Sequence, residues 1–266
     1  MRVTSLGFRT DVALRVLEGG QVTDRGDYLV VRSPGNPDFW WGNFILMAAL
    51  PEVGSAGEWL ARCAAEFPAA RHVALGVDSA RYHAVIPEDF LDAGLEPQRG
   101  TVLTCAAVPE PRHPAAEAEI RPLESDADWQ QSVDLGARCY GDGEPQEYLR
   151  RRAAARRRLT RAGMGAWFGA FMGGRLLAQL GVCDAGGGLA RYQDVETDPV
   201  ARRRGLAGTL LRQAGRYGRE VFGASTLVIV ADPTEAAIRL YRSCGFADTE
   251  SQLTFERPSA PASVGA

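Results

Sequence analysis

The chain has 266 residues, 45% hydrophobic and 24% charged, with a formal net charge of −3 and a mean hydropathy of −0.16. That length is generous for one small domain and short for three, and the apolar fraction suffices for buried cores. The acidic balance offers no global attraction to nucleic acid or anionic lipid, and no apolar run approaches the roughly 18 residues of a membrane span.

Met1-Arg2-Val3-Thr4 lacks the charged-then-apolar pattern of a signal peptide, so the expected setting is cytoplasmic. Cys63, Cys105, Cys139, Cys183 and Cys244 are odd in number and scattered, with no C-x-x-C pair. Neither a disulfide framework nor a zinc site is expected, and His72, His83 and His113 show no ligand spacing, so no metal is expected either. Arginine carries all the side-chain positive charge, because the chain has no lysine.

In chain order, the first feature is Phe39-Trp40-Trp41-Gly42-Asn43-Phe44, the densest aromatic cluster, expected in the core of an N-terminal sheet. A strand-sized apolar run spans Phe44 to Leu50 and leads into Pro51-Glu-Val-Gly54-Ser-Ala-Gly57-Glu58. A helix is predicted from Glu58 to Phe67, then a strand over Val73–Asp78, a short helix near Phe90 ending at Gly94, and a strand over Thr101–Leu103. Residues 108–117 carry prolines at 109, 111 and 114 and no apolar period, which predicts a semi-rigid linker.

Beyond it, polar residues from Ser125 open a helix to Tyr140, and a second helix is predicted from Pro145 to Arg161. Ala166–Met172 and Leu176–Cys183 flank Gly173-Gly174 as a hairpin. Gly186-Gly187-Gly188 turns into a strand over Leu189–Thr197, followed by a helix from Gly205 to Phe222. Thr226–Val230 reads as a strand buried on both faces. Asp232-Pro233-Thr234-Glu235 has the pattern of a helix start, that helix reaching Ser243, and a last strand runs from Ala247 to Phe255. The tail 258–266 is expected to be disordered. The order strand, acid, short helix, Gly-apolar, strand occurs at Val73–Leu103 and again at Leu227–Phe255, which reads as a degenerate internal duplication.

The chemistry concentrates in Val195-Glu-Thr-Asp-Pro-Val-Ala-Arg202-Arg203-Arg204-Gly205-Leu206-Ala207-Gly208-Thr209. A strand ends, arginines follow, and small residues open a helix whose first amides have no internal acceptor. Such amides, the helix dipole and flanking arginines suit phosphate oxygens. Taken alone, the segment is equally a strand-to-helix turn with solvated arginines.

Arg202-x-x-Gly205-x-Ala207 after Val195-x-Thr197-x-Pro199 resembles the acetyl-CoA signature of the GNAT superfamily of N-acetyltransferases. Ala237-Ile-Arg-Leu-Tyr241-Arg-Ser-Cys-Gly245-Phe246 resembles that superfamily's second signature, in the right order and on the predicted element types. The resemblance implies a GNAT-like α/β fold (α+β, mixed sheet) in tandem: a degenerate GNAT-like domain over 1–107, the linker, and an acetyltransferase domain over 118–257. It implies acyl transfer, acetyl as the expected group, from acyl-CoA to a primary amine by direct attack. A non-catalytic acyl-CoA-binding or sensing protein is the alternative.

Carried over by position, the resemblance implies that the backbone of Val195, Glu196 and Thr197 pairs with the pantetheine arm. The amides of Arg203, Arg204, Gly205, Leu206, Ala207, Gly208 and Thr209, with Arg202 beside them, would hold the pyrophosphate. Tyr241 would sit near the thioester and protonate the leaving thiolate. Thr234 stands where the superfamily often has asparagine, which leaves a cofactor contact there open.

An acceptor ammonium must lose a proton before attack, which asks for a base. Glu196, nearest the expected thioester, and Asp194, acting through water, are the candidates; both are equally readable as strand-surface carboxylates. The second helix carries Arg150, Arg151, Arg152, Arg156, Arg157, Arg158 and Arg161, either a wall selecting an acidic acceptor or a solvated face paired with acids. The segment Pro51–Glu58 lacks arginine and holds two glutamates, so the N-terminal domain is expected to be cofactor-silent. The expected partner is a small-molecule or peptide amine, with no nucleic acid or membrane, and the protein a monomer or homodimer.

Overall fold

The computed structural model describes residues 1–37, 39–70, 72–140 and 146–257. The tail 258–266 and Pro145 lie outside the described residues. The chain forms two compact units, one of Met1–Val102 with the segment from Thr249 onward, the other of Leu103–Asp248.

The first unit opens with α1 (Leu6–Leu17), β1 (Gln21–Asp24), β2 (Tyr28–Arg32) and β3 (Phe44–Met47). Helix α2 (Ala56–Glu66), β4 (Val73–Val77), α3 (Glu88–Asp92) and the start of β5 (Glu96–Cys105) follow. β1, β2 and β3 are antiparallel neighbours, and β3 runs parallel to β4. Every side chain of β3 is buried: Ile45 and Met47 pack with Leu75, Val77 and Phe90, while Phe44 and Leu46 pack with Phe8 and Val31. A continuous apolar run is what a strand covered on both faces requires. Of the aromatic cluster, Phe44 is buried in this core and Trp41 packs against it, their rings 5.5 Å apart. Trp40 stacks on His72 at 5.2 Å and the Trp41 indole donates to Glu256 at 2.7 Å, both rings half-buried in a short 3-10 turn.

The last strand, expected to close a domain over 118–257, instead belongs to this unit from Thr249 on. β11 (Ala247–Arg257) is antiparallel to β4, from Leu253 opposite Val77 to Arg257 opposite Val73. Leu253 and Phe255 fill the core beside Phe90. Strand exchange of this kind leaves no local trace, because the apolar alternation of β11 suits any half-covered sheet.

The second unit contains β6 (Glu119–Pro122), α4 (Asp126–Tyr140), α5 (Gln146–Arg161), β7 (Gly165–Met172), β8 (Arg175–Gly186), β9 (Leu189–Thr197), α6 (Leu206–Glu220), β10 (Thr226–Ala231) and α7 (Ala236–Ser243). β6, β7, β8 and β9 are successive antiparallel neighbours, and β9 is parallel to β10. Each unit thus runs from antiparallel strands into a strand–helix–strand parallel crossover. α4 starts with a reciprocal cap: the Asp128 amide donates to Ser125 Oγ, and the Ser125 amide to Asp128 Oδ2. α6 buries Leu206, Leu210, Leu211 and Ala214, each wholly buried leucine contributing about 2 kcal/mol of transfer free energy. Gly215 lets β9 approach: a Cβ there would stand 2.5 Å from the Tyr192 hydroxyl, which donates to the Leu211 carbonyl at 2.7 Å.

Two local expectations change. The segment 108–117 is not a bare spacer but packs along α6, with the Ala115 amide donating to Thr209 Oγ1 at 3.0 Å and Arg212 reaching both the Val108 carbonyl and Glu110. α7 begins at Ala236 rather than near Asp232, because Asp232 Oδ1 accepts the Thr234 amide and hydroxyl and closes a turn instead.

Candidate active site

The parallel pairing of β9 with β10 stops at Arg191 opposite Val228, although β9 continues to Thr197 and β10 to Ala231. Ahead of that point β9 bulges. Gln179 faces Glu196 and Gly181 faces Gln193, so Leu180 alone stands opposite Asp194 and Val195. Asp194 adopts φ +52°, and the only other non-glycine residue with positive φ among the described residues is Arg203, at +64°. Arg203 lines a cleft and Asp194 immediately precedes Val195 in its wall, the usual surroundings for such strain.

The cleft is a cavity of about 660 Å³ within the second unit. Its wall takes Val195, Glu196 and Thr197 from β9, and Ala201, Arg202, Arg203, Gly205, Leu206, Ala207 and Gly208 from the turn and α6. Glu235, Ala236, Ala237, Leu240 and Tyr241 come from α7 and its cap, and Cys139 and Tyr140 from the end of α4. A volume of that order suits a small-molecule site.

At one end, Gly205 caps α6 in the left-handed conformation (φ +77°) and provides no side-chain acceptor. The amides of Leu206, Ala207 and Gly208 have no acceptor among the described residues and sit in the cavity wall. Unpaired amides at a helix start, beside Arg202 and Arg203, are an arrangement suited to an anion. The turn before it is anchored by Asp198, whose buried carboxylate accepts Arg138 Nε at 2.7 Å and Arg175 Nη2 at 3.1 Å and caps Val200. Burial works to raise that carboxyl, but the Arg138 and Val200 hydrogen bonds and the two guanidinium charges hold it below its ordinary value.

At the other end the carboxylates separate in character. Asp194 is clamped by α5, paired to Arg156 at 2.7 Å and also to Arg152. Glu196 is buried; its Oε2 accepts Gln179 Nε2 at 2.5 Å, and its Oε1 lies 3.8 Å from Arg156. Burial pushes the Glu196 carboxyl above its ordinary value and the Asp194 charge adds to that, while Arg156 and the Gln179 hydrogen bond oppose it. Arg152 and Arg156 are therefore spent on these acids, Arg157 pairs with Asp126 and Arg151 with Glu147, and Arg150, Arg158 and Arg161 are exposed. The helix supplies a paired face rather than a basic wall on the cavity.

Tyr241 is buried in the wall, its ring 6.4 Å from Phe246, and burial pushes its phenol up to about 12. Burial likewise raises the Cys139 thiol to about 11, the nearby Glu196 charge adding to it.

Of the residues singled out from sequence, four lie outside the wall: Asp194, held by the α5 arginines, and Arg204, Thr209 and Thr234. Arg204 is 3.7 Å from Glu117, Thr209 turns its hydroxyl to the Gly205 carbonyl and the Ala115 amide, and Thr234 bonds Asp232. Cys139 and Tyr140 entered only through the tertiary fold, since α4 carries no motif of its own. The local hint of a ligand-facing α7 was the Ala237–Phe246 motif, of which Ala237, Leu240 and Tyr241 line the cavity. In the first unit the comparable corner differs: the Ala56 amide at the start of α2 donates to Asp89 Oδ2 at 2.8 Å, so a carboxylate already occupies it.

The bulged and splayed β9, the uncapped α6 and the α7 tyrosine define a mixed α/β domain of the GNAT fold. Residues 129–246 match the family model described as the acetyltransferase (GNAT) family. No curated protein matches the sequence significantly. Among solved structures, a functionally unknown conserved protein from Staphylococcus epidermidis ATCC 12228 aligns with TM-score 0.68 at 12% identity, over 91% of this chain and 95% of that one. A GCN5-related N-acetyltransferase from Kribbella flavida aligns with TM-score 0.63 at 15% identity, over 96% and 98%. A tandem GNAT protein from the clavulanic acid biosynthesis pathway aligns with TM-score 0.55 at 15% identity, over 97% and 96%. The fold of the chain is thus the tandem GNAT-like arrangement, with a degenerate N-terminal part. Among the described residues no helix is long and apolar enough to cross a membrane, and no cluster of three His, Cys, Asp or Glu could hold a metal.

Proposed function

We infer that the second unit is an acyl-CoA-dependent N-acyltransferase that moves an acetyl group to a primary amine by direct attack. The observation that carries this is a single cavity with unpaired α6 amides at one end and Glu196 and Tyr241 in its wall. The pyrophosphate is held by the amides of Leu206 to Gly208 with Arg202 and Arg203. The pantetheine arm lies along Val195 to Thr197, whose β10 side has no strand partner among the described residues.

Glu196 is the better base. Burial raises its carboxyl, whereas the Asp194 charge is committed to two arginines. The acceptor ammonium gives a proton to Glu196, its lone pair attacks the thioester carbon, and collapse expels the thiolate while nitrogen loses its second proton. With its phenol at about 12, Tyr241 lies about 3 to 4 units above a thiol of about 8.5, so complete proton transfer is uphill by about 4 to 5 kcal/mol. Tyr241 therefore acts mainly as a hydrogen-bond donor to the departing sulfur, which then takes the proton released by nitrogen. Cys139 remains a thiol at neutral pH, which favours direct transfer over an acyl-cysteine intermediate.

The first unit is read as lacking a cofactor site of its own, because Asp89 holds the amide a phosphate would need. Cys63, Cys105, Cys139 and Cys244 are free thiols, which fits a reducing cytoplasmic setting. Equilibrium titration with acetyl-CoA tests binding, and amine-dependent thiol release over a panel of primary amines and peptides tests transfer. Binding without thiol release would leave an acyl-CoA-binding protein; no binding would overturn the reading altogether.

A further inference from the structure

The buried polar side-chain atoms of the second unit with no hydrogen-bond partner among the described residues include Ser132 Oγ on α4, Gln179 Oε1 on β8 and Glu196 Oε1 on β9. Gln179 links all three groups. It is wholly buried between Ala178 and Leu180, and its Nε2 donates to Glu196 Oε2 at 2.5 Å and to the Ser132 carbonyl at 3.3 Å. Its strand position lies directly opposite Glu196. A buried amide with an unpaired oxygen is unfavourable compared with an apolar side chain of similar volume, so packing alone does not account for it.

We propose that Gln179 is a positioning residue for acyl transfer: by holding Oε2 of Glu196 it leaves Oε1 as the oxygen that takes the proton from the acceptor ammonium. The inference rests on Glu196 being the base. Among the described residues the Gln179 bond is the only hydrogen bond the Glu196 carboxylate accepts. The charged and titratable groups around Glu196 are Asp194 on its own strand, Arg152 and Arg156 from α5, and Cys139 and Tyr140 from α4. The two arginines make their close contacts to Asp194, so Gln179 supplies the direct donor that favours the ionised form. Protonation converts the carboxylate to a neutral acid at Oε1 with Oε2 still held, and the proton returns to solvent after the product amide forms.

The test uses the full-length protein, Gln179→Leu and Gln179→Met, both close to glutamine in volume, and Glu196→Gln. The Glu196 carboxyl is followed by 13C NMR in protein labelled at glutamate side chains, its signal assigned by its loss in Glu196→Gln. Loss of a donor to a charged acceptor should move the midpoint upward by about one pH unit in both Gln179 variants. The acid limb of kcat for amine-dependent thiol release should move by the same amount, with acetyl-CoA Kd unchanged. Rates should recover once pH passes the new midpoint, which a purely structural defect would not allow. A lower kcat at every pH with an unmoved midpoint would overturn the role of Gln179 while leaving the base assignment intact. Full activity and an unchanged limb in Glu196→Gln would overturn the base assignment and this inference with it. If one Gln179 variant fails to fold, the other carries both readouts, with thermal melting as the control.

Discussion

Gly205 lies so close to His113 that a methyl group on its α-carbon would collide with the His113 carbonyl oxygen and stand 3.4 Å from the Ala115 amide nitrogen. The proline-rich segment is thereby seated against the helix start whose amides face the cavity. Gly205 is needed twice, for its φ of +77° and for this approach. Gly205→Ala is expected to lose about 1–3 kcal/mol of stability and to weaken acetyl-CoA binding, read by urea denaturation and calorimetric titration. Unchanged affinity in a folded Gly205→Ala protein would argue against an anion site at this corner.

The arginines after Pro199 should not be equivalent. Arg202 and Arg203 line the cavity, whereas Arg204 faces Glu117. Arg203→Glu should weaken acetyl-CoA binding about ten-fold or more, and Arg204→Glu distinctly less. Dephospho-CoA and CoA titrations of each variant separate the pyrophosphate from the 3′-phosphate contribution. Equal losses at both positions would place the phosphates elsewhere.

Tyr241→Phe should lower kcat by about 100-fold, with little effect on acetyl-CoA Kd. Because the phenol is pushed up to about 12, it stays protonated throughout the working range. No basic limb of the kcat profile below about pH 10 should belong to Tyr241, so any such limb should persist in Tyr241→Phe. Full activity in that variant would remove the donor role.

Glu196→Gln should be inactive yet more stable at neutral pH. The folded carboxyl titrates above its ordinary value of 4.5, so the native state binds more protons than the unfolded chain between the unfolded and folded midpoints. Stability is therefore lost as pH rises through that window, and the full penalty is present above it. Arg156 keeps its 2.7 Å partner Asp194 after the substitution. Melting curves should show the variant above wild type at neutral pH, the gap closing as pH falls below about 4.5. A lower melting temperature at neutral pH would mean that the Arg156 interaction outweighs burial.

Short-range chemistry was legible in the chain. The Gly173-Gly174 hairpin, the apolar run of β10, the Ser125 cap and the arginine–glycine entry into α6 each depend on residues a few positions apart. Their φ requirements and periodicities are intrinsic to those residues. The start of α7 was misplaced for the same local reason, because Asp232 can cap a helix or close a turn, and only the surrounding packing chooses.

What the sequence by itself determined was the kind of site: a strand, small residues and unpaired amides at a helix start, with a tyrosine some 30 residues on. The tertiary structure alone distinguished the two carboxylates beside the cavity. Asp194 and Glu196 are two apart on one strand and look alike there, but Arg152 and Arg156 on a distant helix claim the first, and Gln179 from the neighbouring strand holds the second. It likewise gave β11 to the first unit and laid 108–117 against Gly205. Ion pairs, strand partners and backbone collisions depend on distances through space, which spacing along the chain does not encode.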